Sequence, residues 1–173
     1  MRGRACPVRS TRSAALAAAA CAVAQACAVA HAASCSVTPP AFLDFGAYNT
    51  ITAVAPAGWA YQVNCTRTAT GTRTESLMLT ASFSTGSGTY ASRTLTSGAW
   101  TVSYNLFADA ARTQVIGDGS GSTVQAGPVL VTLTRAAPTY SANWLVYGFL
   151  PGSQNVAPGV YRTTQPIVLT LQY

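Results

Sequence analysis

The chain has 173 residues, and its ten basic residues, all arginine, outnumber four acidic residues to give a formal net charge of +6. Hydrophobic residues make up 49% and charged residues only 8%, which argues against coiled coils and charged disordered tails. A single histidine and the lack of lysine leave little scope for acid–base, Schiff-base or metal chemistry. The length predicts one domain, alone or with an extension.

The N-terminal segment has the pattern of a secretory signal peptide. Four arginines precede an alanine-rich apolar run over residues 14–30, and Ala30-His31-Ala32 fits a small-x-small cleavage site. We therefore predict a signal peptide over residues 1–32, followed by one exported domain over residues 33–173. Cleavage removes four arginines, three cysteines and the histidine, and it leaves a net charge of +2 on 141 residues.

Two cysteines, Cys35 and Cys65, remain after the predicted cleavage. An exported protein matures in an oxidising compartment, where such a pair usually becomes a disulfide. We predict a Cys35–Cys65 bridge, with two buried free thiols as the alternative. A bridge that closes a loop of about 31 residues would stabilise the fold by roughly 3–4 kcal/mol through chain entropy.

From residue 33 onward the hydrophobic pattern has a period of two residues. Val102, Tyr104 and Leu106, for example, alternate with polar residues, as in a strand with one buried face. Clusters of glycine and proline separate such segments, and together they predict an all-β, antiparallel sandwich or barrel. The predicted strands cover residues 42–48, 59–65, 76–83, 89–95, 101–107, 129–134, 144–149 and 167–173.

Catalytic and cofactor-binding patterns are weak in the predicted mature chain. The only histidine lies in the leader, so neither a Ser-His-Asp nor a Cys/His site can form. Asp109 and Asp118 are interpreted as turn residues rather than a glycosidase pair. We therefore expect no enzyme activity, no metal and no cofactor. Scattered arginines do not form a nucleic-acid-binding stripe, and Trp59, Trp100 and Trp144 are interpreted as packing residues, an adhesive aromatic patch being the alternative.

The order and spacing of several short motifs resemble the spore coat protein U domain family, which includes subunits of archaic, Csu-type chaperone–usher pili. The resemblance runs from Cys35 to Tyr173. Ile116, where the family usually has tryptophan, and Arg162-Thr163, where an aspartate is common, depart from the pattern. The motifs are Cys35-Ser-Val, Leu43-Asp-Phe-Gly46, Val63-Asn-Cys65, Arg93-Thr-Leu, Tyr104-Asn-Leu-Phe-Ala-Asp-Ala-Ala-Arg-Thr-Gln-Val-Ile-Gly-Asp-Gly119, Val146-Tyr-Gly-Phe-Leu-Pro151 and Pro158-Gly-Val-Tyr161.

The resemblance implies a single immunoglobulin-like sandwich that lacks its final strand. In such pilins a periplasmic chaperone, and then a sibling subunit, supplies the missing strand, and an outer-membrane usher assembles the fibre. The sequence predicts the same vacancy, because the last predicted strand runs to Tyr173 and would leave an uncovered edge. The residues that we expect along the resulting groove are Phe42, Phe45, Ile167, Leu169, Leu171 and Tyr173.

A pilin that donates a strand needs an additional N-terminal segment of roughly 10–15 residues. Here only Ala33 and Ser34 separate the predicted cleavage site from Cys35. We therefore expect a pilus subunit that accepts a donor strand without giving one, as a tip or terminating subunit would, with a role in adhesion and biofilm formation. The alternative is a secreted coat protein of the cell or spore surface that does not polymerise by strand exchange.

Overall fold

A computed structural model of the protein describes residues 33–38, 45–56 and 58–173. The predicted leader over residues 1–32 and the predicted groove residue Phe42 lie outside these ranges. The described residues form ten β-strands and no helix. The strands are β1 Ala33–Thr38, β2 Ala47–Tyr48, β3 Trp59–Arg67, β4 Glu75–Phe83, β5 Arg93–Ser97, β6 Trp100–Phe107, β7 Ala126–Leu133, β8 Thr139–Phe149, β9 Gly159–Val160 and β10 Leu169–Gln172.

The strands form two main antiparallel sheets that enclose the core, which confirms the predicted all-β sandwich. The larger sheet has the order β1-β3-β8-β6-β5, and the smaller has the order β10-β4-β7. Strands β2 and β9 pair separately. In this arrangement β1 and β5 are the edges of the larger sheet, whereas β10 and β7 are the edges of the smaller one.

The alternation predicted from the sequence decides which side chains enter the core. In β3, Tyr61, Val63 and Cys65 are buried, while Gln62 and Thr66 point to solvent. Successive side chains of a strand leave on opposite faces, so one face of each strand can be apolar and the other hydroxyl-rich. The same pattern runs through β4 and β6.

Aromatic side chains fill two parts of the core. Tyr61 packs edge to face against Phe83, with ring centroids 5.5 Å apart. Phe45 packs in the same manner against Trp59 at 5.1 Å and Tyr104 at 5.3 Å. Such edge-to-face geometry is favourable because the positive edge of one ring meets the negative face of the other.

Gly148 of β8 makes the close packing around Trp59 possible. A Cβ atom built on Gly148 would lie 2.4 Å from the Trp59 indole and 2.8 Å from the Phe45 ring. Both distances are shorter than any ordinary contact between carbon atoms. The two aromatic rings therefore occupy the space that a side chain at residue 148 would need.

Some predicted strand boundaries differ from the structure. The strand expected over 89–95 begins only at Arg93, because Thr89 and Ser92 hydrogen-bond to each other in a turn. In the described part of the segment predicted over 42–48, only Ala47 and Tyr48 are in a strand. Strand β1 was not predicted. Within the described ranges, no helix has the length and hydrophobicity needed to cross a membrane.

Candidate functional site

A disulfide joins edge strand β1 to its neighbour β3, as predicted. Cys35 and Cys65 are directly opposite in the register of the two strands. Their sulfur atoms are 2.05 Å apart, and their Cα atoms are 4.0 Å apart. Cys65 is buried and Cys35 is half-buried, so one end of the bridge is part of the core and the other lies near the edge of the sheet.

Strand β1 presents an apolar side chain at every second position. Ala33 is buried, and Cys35 and Val37 are half-buried against the core. The alternate residues, Ser34 and Ser36, are exposed. The sequence signal for this strand was the short alternation of small residues, which is weak because alanine and serine have little preference for strands.

Strand β10 has the same alternation on the edge of the other sheet. Leu169 and Leu171 are half-buried against the core, and Thr170 and Gln172 are exposed. Leu169 is opposite Phe83 and Leu171 is opposite Ala81 in the register with β4. Strand β10 therefore pairs with β4 on one side and, within the described residues, with no strand on the other.

The edge strands β1 and β10, each of which pairs on one side only within the described residues, are close to each other. Cα atoms of β1 and β10 come within 8 Å, although the strands belong to different sheets. Strand β1 pairs with β3, and β10 pairs with β4. Each of these strands is therefore the last strand at one border of its own sheet. We call the border between these two edge strands the gap; Cys35 and Val37 lie on one side of it, and Leu169 and Leu171 lie on the other.

The two remaining edges of the main sheets, β5 and β7, carry features that oppose further strand pairing. On the outer edge of β5, the backbones of Thr96 and Arg162 exchange two hydrogen bonds of 2.7 and 2.9 Å. Strand β7 contains Pro128, which has no N–H to donate, and its register with β4 shifts between Leu79 and Ala81. Strands β1 and β10 contain neither a proline nor a charged residue.

The chain matches the family model of the Spore Coat Protein U domain over residues 13–167. It belongs to this family. A surface protein of the pilus or coat type fits the family, and the Cys35–Cys65 disulfide fits an exported protein. No curated protein matches the chain.

Three of the groove residues predicted for this spore coat protein U domain are near one another along the chain. Ile167, Leu169 and Leu171 all pack against the core at or beside β10, and Tyr173, which follows them, is 39% exposed. Phe45 is buried instead against Trp59 and Tyr104. The border formed by β1 was not predicted, because the residues around Cys35 were not assigned to a strand.

The Arg93-Thr-Leu motif of the family resemblance contains a buried cation. The Arg93 side chain has no solvent exposure, and its Nη2 donates to the carbonyl oxygens of Ser84 and Ile116 at 3.3 and 2.8 Å. Its guanidinium also lies 5.3 Å from the centre of the Tyr90 ring. Burial lowers the pKa of Arg93 and raises that of Tyr104, since both charged forms are poorly solvated there.

The carboxylates of Asp109 and Asp118 stabilise turns of the chain, as predicted. Asp109 accepts hydrogen bonds from the backbone N–H groups of Gln114 and Thr113, and these bonds lower its pKa. Asp118 accepts from the Ser120 side chain and backbone, with the same effect on its pKa. Within the part of the chain that the structure describes, no group of three His, Cys, Asp or Glu side chains could hold a metal ion.

Proposed function

We propose that this protein is a non-catalytic subunit of a surface pilus and that it accepts a donor strand at the gap between β1 and β10. The observation that carries the proposal is the contrast between the four edges of the two main sheets. Edges β5 and β7 are blocked by backbone bonding and by Pro128, whereas β1 and β10 are uncharged and uncovered within the described residues. An added strand binds through main-chain hydrogen bonds and inserts alternate side chains into the core.

The apolar side chains that border the gap are suited to such a strand. Val37, Leu169 and Leu171 are only half-buried although they pack against the core. Burying the rest of their surface would be favourable by about 25 cal/mol for each Å² removed from water. A donor with apolar residues at alternate positions would cover them, and its exposed face would continue the hydroxyl-rich surface of the sandwich.

The gap is narrower in places than a strand bonded to both edges requires. Paired strands are roughly 4.8 Å apart, so a strand between two partners needs about 9.6 Å, while Cα atoms of β1 and β10 come within 8 Å. Insertion therefore separates the two edges at these positions. The disulfide holds β1 on β3, so we expect most of the displacement in β10.

The partners in this proposal are a periplasmic chaperone, an outer-membrane usher and sibling subunits. Strand β1 begins at Ala33 and packs this residue into the core. If the signal peptide is cleaved after Ala32, the mature N-terminus is part of the sandwich and cannot act as a donor. The proposal therefore places the subunit at the tip or end of a fibre, with adhesion and biofilm formation as its roles.

The placement of Ala33 in the sandwich, with no donor segment after the predicted cleavage site, also fits a second candidate, a secreted coat protein that does not polymerise through donor strands. Sequencing the N-terminus of the exported protein tests whether the mature chain lacks a donor segment. A start at or near Ala33 is expected, and a start well upstream would supply a donor segment and contradict the terminal position. Co-purification with the periplasmic chaperone of the same cells is expected for the pilus subunit and not for the coat protein.

Peptide binding tests the acceptor gap directly. A synthetic peptide of roughly 12 residues with alternating apolar side chains should raise the melting temperature of the oxidised protein. The variant L171D places a charge at the gap and should lose this response. The matched control is T170D, which alters the exposed face of the same strand and should keep it. No shift in the unmodified protein, or equal shifts in both variants, would rule out the proposed groove.

A further inference from the structure

A second candidate site lies away from the β1 and β10 edges. A cleft of about 340 Å³ opens beside the beginning of β7, and its walls come from β3, β7, β8 and the connection between β6 and β7. This volume is at the lower end of the range for small-ligand pockets, which is about 300–1,000 Å³. The residues that matter for its chemistry are Tyr61, Gln114, Gln125, Val129 and Trp144.

Tyr61 contributes a buried polar group, its phenolic hydroxyl, to the cleft. Its side chain is only 1% exposed, and its hydroxyl has no hydrogen-bond partner among the described residues. Buried hydroxyl groups in folded proteins nearly always have a partner, and an unpaired one is destabilising. Burial also raises the pKa of Tyr61, so the hydroxyl stays neutral and can both donate and accept.

Two glutamine side chains supply further polar groups at the cleft. Gln114 uses its backbone in hydrogen bonds with Asp109 and Ala108, and its side chain is exposed. The Gln125 Nε2 atom donates to the Asp118 carbonyl at 3.1 Å, while its Oε1 remains able to accept. The cleft therefore offers neutral hydrogen-bonding groups only: the side-chain amide of Gln114, the side-chain oxygen of Gln125 and the phenol of Tyr61.

The rest of the lining is apolar or aromatic. Trp144 is half-buried, with its ring 6.0 Å from that of Tyr61, and Val129 lies on the wall formed by β7. Among the described residues that line the cleft, Tyr61 alone has an ionisable side chain. A charged ligand would lose water here without gaining a counter-charge, which is unfavourable, whereas a neutral ligand with apolar faces and several hydroxyls would match both parts of the lining.

We propose that this cleft binds a neutral sugar ring. The apolar C–H face of a pyranose would rest on Trp144 and Val129, and its hydroxyls would bond with the Gln114 and Gln125 amides. A small movement of the ring of Tyr61 would bring one hydroxyl of the ligand to the unpaired phenol. The site involves none of the residues of β1 or β10, so it is independent of strand acceptance.

Titration of the oxidised, exported protein with methyl glycosides tests the site. The probes are methyl β-glucopyranoside, methyl α-mannopyranoside and methyl β-galactopyranoside, observed by saturation-transfer NMR and tryptophan fluorescence. We expect at least one to bind with a dissociation constant in the millimolar range. The proposal is overturned if none of the three glycosides binds. It is also overturned if the cleft binds the donor peptide and no glycoside.

The variant Y61F separates a binding role from a structural one. It removes only an unpaired hydroxyl, so the melting temperature should be unchanged or higher, while the affinity for the glycoside should fall by about three- to tenfold. Q114A should weaken binding to a similar extent. The control Q62A alters an exposed glutamine on the outer face of β3 and should bind normally. Unchanged affinity in both Y61F and Q114A would contradict the assignment.

Discussion

Arg93 donates a hydrogen bond of 2.5 Å from Nη1 to the side-chain oxygen of Asn105, within the sandwich. The Asn105 amide in turn donates to the carbonyl oxygen of Tyr90 at 2.8 Å. Among the described residues Arg93 has no carboxylate partner, and neutral oxygens stabilise its charge. Asn105 thus connects the cation in β5 to the turn that precedes this strand.

Replacing Asn105 by alanine should leave the Arg93 charge short of an acceptor. Removing one partner of a buried charged group costs about 2–4 kcal/mol, and we expect a loss of this size in urea unfolding. N143A, on an exposed face of β8, is the control and should change stability by less than about 0.5 kcal/mol. Equal effects in both variants would show that the Arg93 contact adds nothing.

The double variant C35A/C65A should be less stable than the oxidised protein by about 3–4 kcal/mol, because the bridge restricts a loop that spans 30 residues. Thermal unfolding with and without reductant measures the difference. Reductant should lower the melting temperature of the unmodified protein and leave that of the double variant unchanged. If reductant has no effect on the unmodified protein, the bridge does not contribute to stability.

Adding a methyl group at Gly148 should be destabilising. G148A brings a Cβ to within 2.4 Å of Trp59, and overpacking of this kind costs typically 1–3 kcal/mol. The matched control is G159A, where an added Cβ meets nothing within 4 Å. Chemical denaturation should separate the two variants. A G148A protein as stable as G159A would mean that the Trp59 ring can move aside.

Stability should fall in acid partly because of Asp109. Hydrogen bonds from Gln114 and then Thr113 hold the pKa of this carboxyl below its ordinary value of 3.8. The contribution of the ionised Asp109 carboxylate to the free energy of unfolding is therefore fully present above pH 3.8. It is lost as the pH falls through the lower pKa that this group has in the folded state. The melting temperature of D109N should depend less on pH in this acidic range than that of the unmodified protein. Parallel pH profiles would contradict the prediction.

The parts of the fold that could be predicted are those where alternation is strong. The apolar face of residues 101–107 and of the last strand follows directly from side chains that alternate between large and polar. Strand β1 gave a weaker signal, since its inward residues include the small Ala33 and Cys35. Its position on the sheet edge depends on pairing with β3, which is distant in sequence.

The candidate sites were predictable to different degrees. The Cys35–Cys65 pair followed from composition once the leader was set aside, and Leu169 and Leu171 followed from the alternation of the last strand. The cleft beside Tyr61 was not predicted, because residues from three strands and a loop meet there only after folding. Nor could the sequence show that Arg93 is buried, since arginine is usually exposed.

The absence of charge from β1 and β10 has a consequence for the setting in which the protein works. Attraction between ions weakens as dissolved salt screens it, but main-chain bonding and apolar burial do not depend on such attraction. The affinity of a donor strand for these two strands would therefore depend little on ionic strength. In the pilus proposed above, the same fibre would then hold in dilute and in saline surroundings.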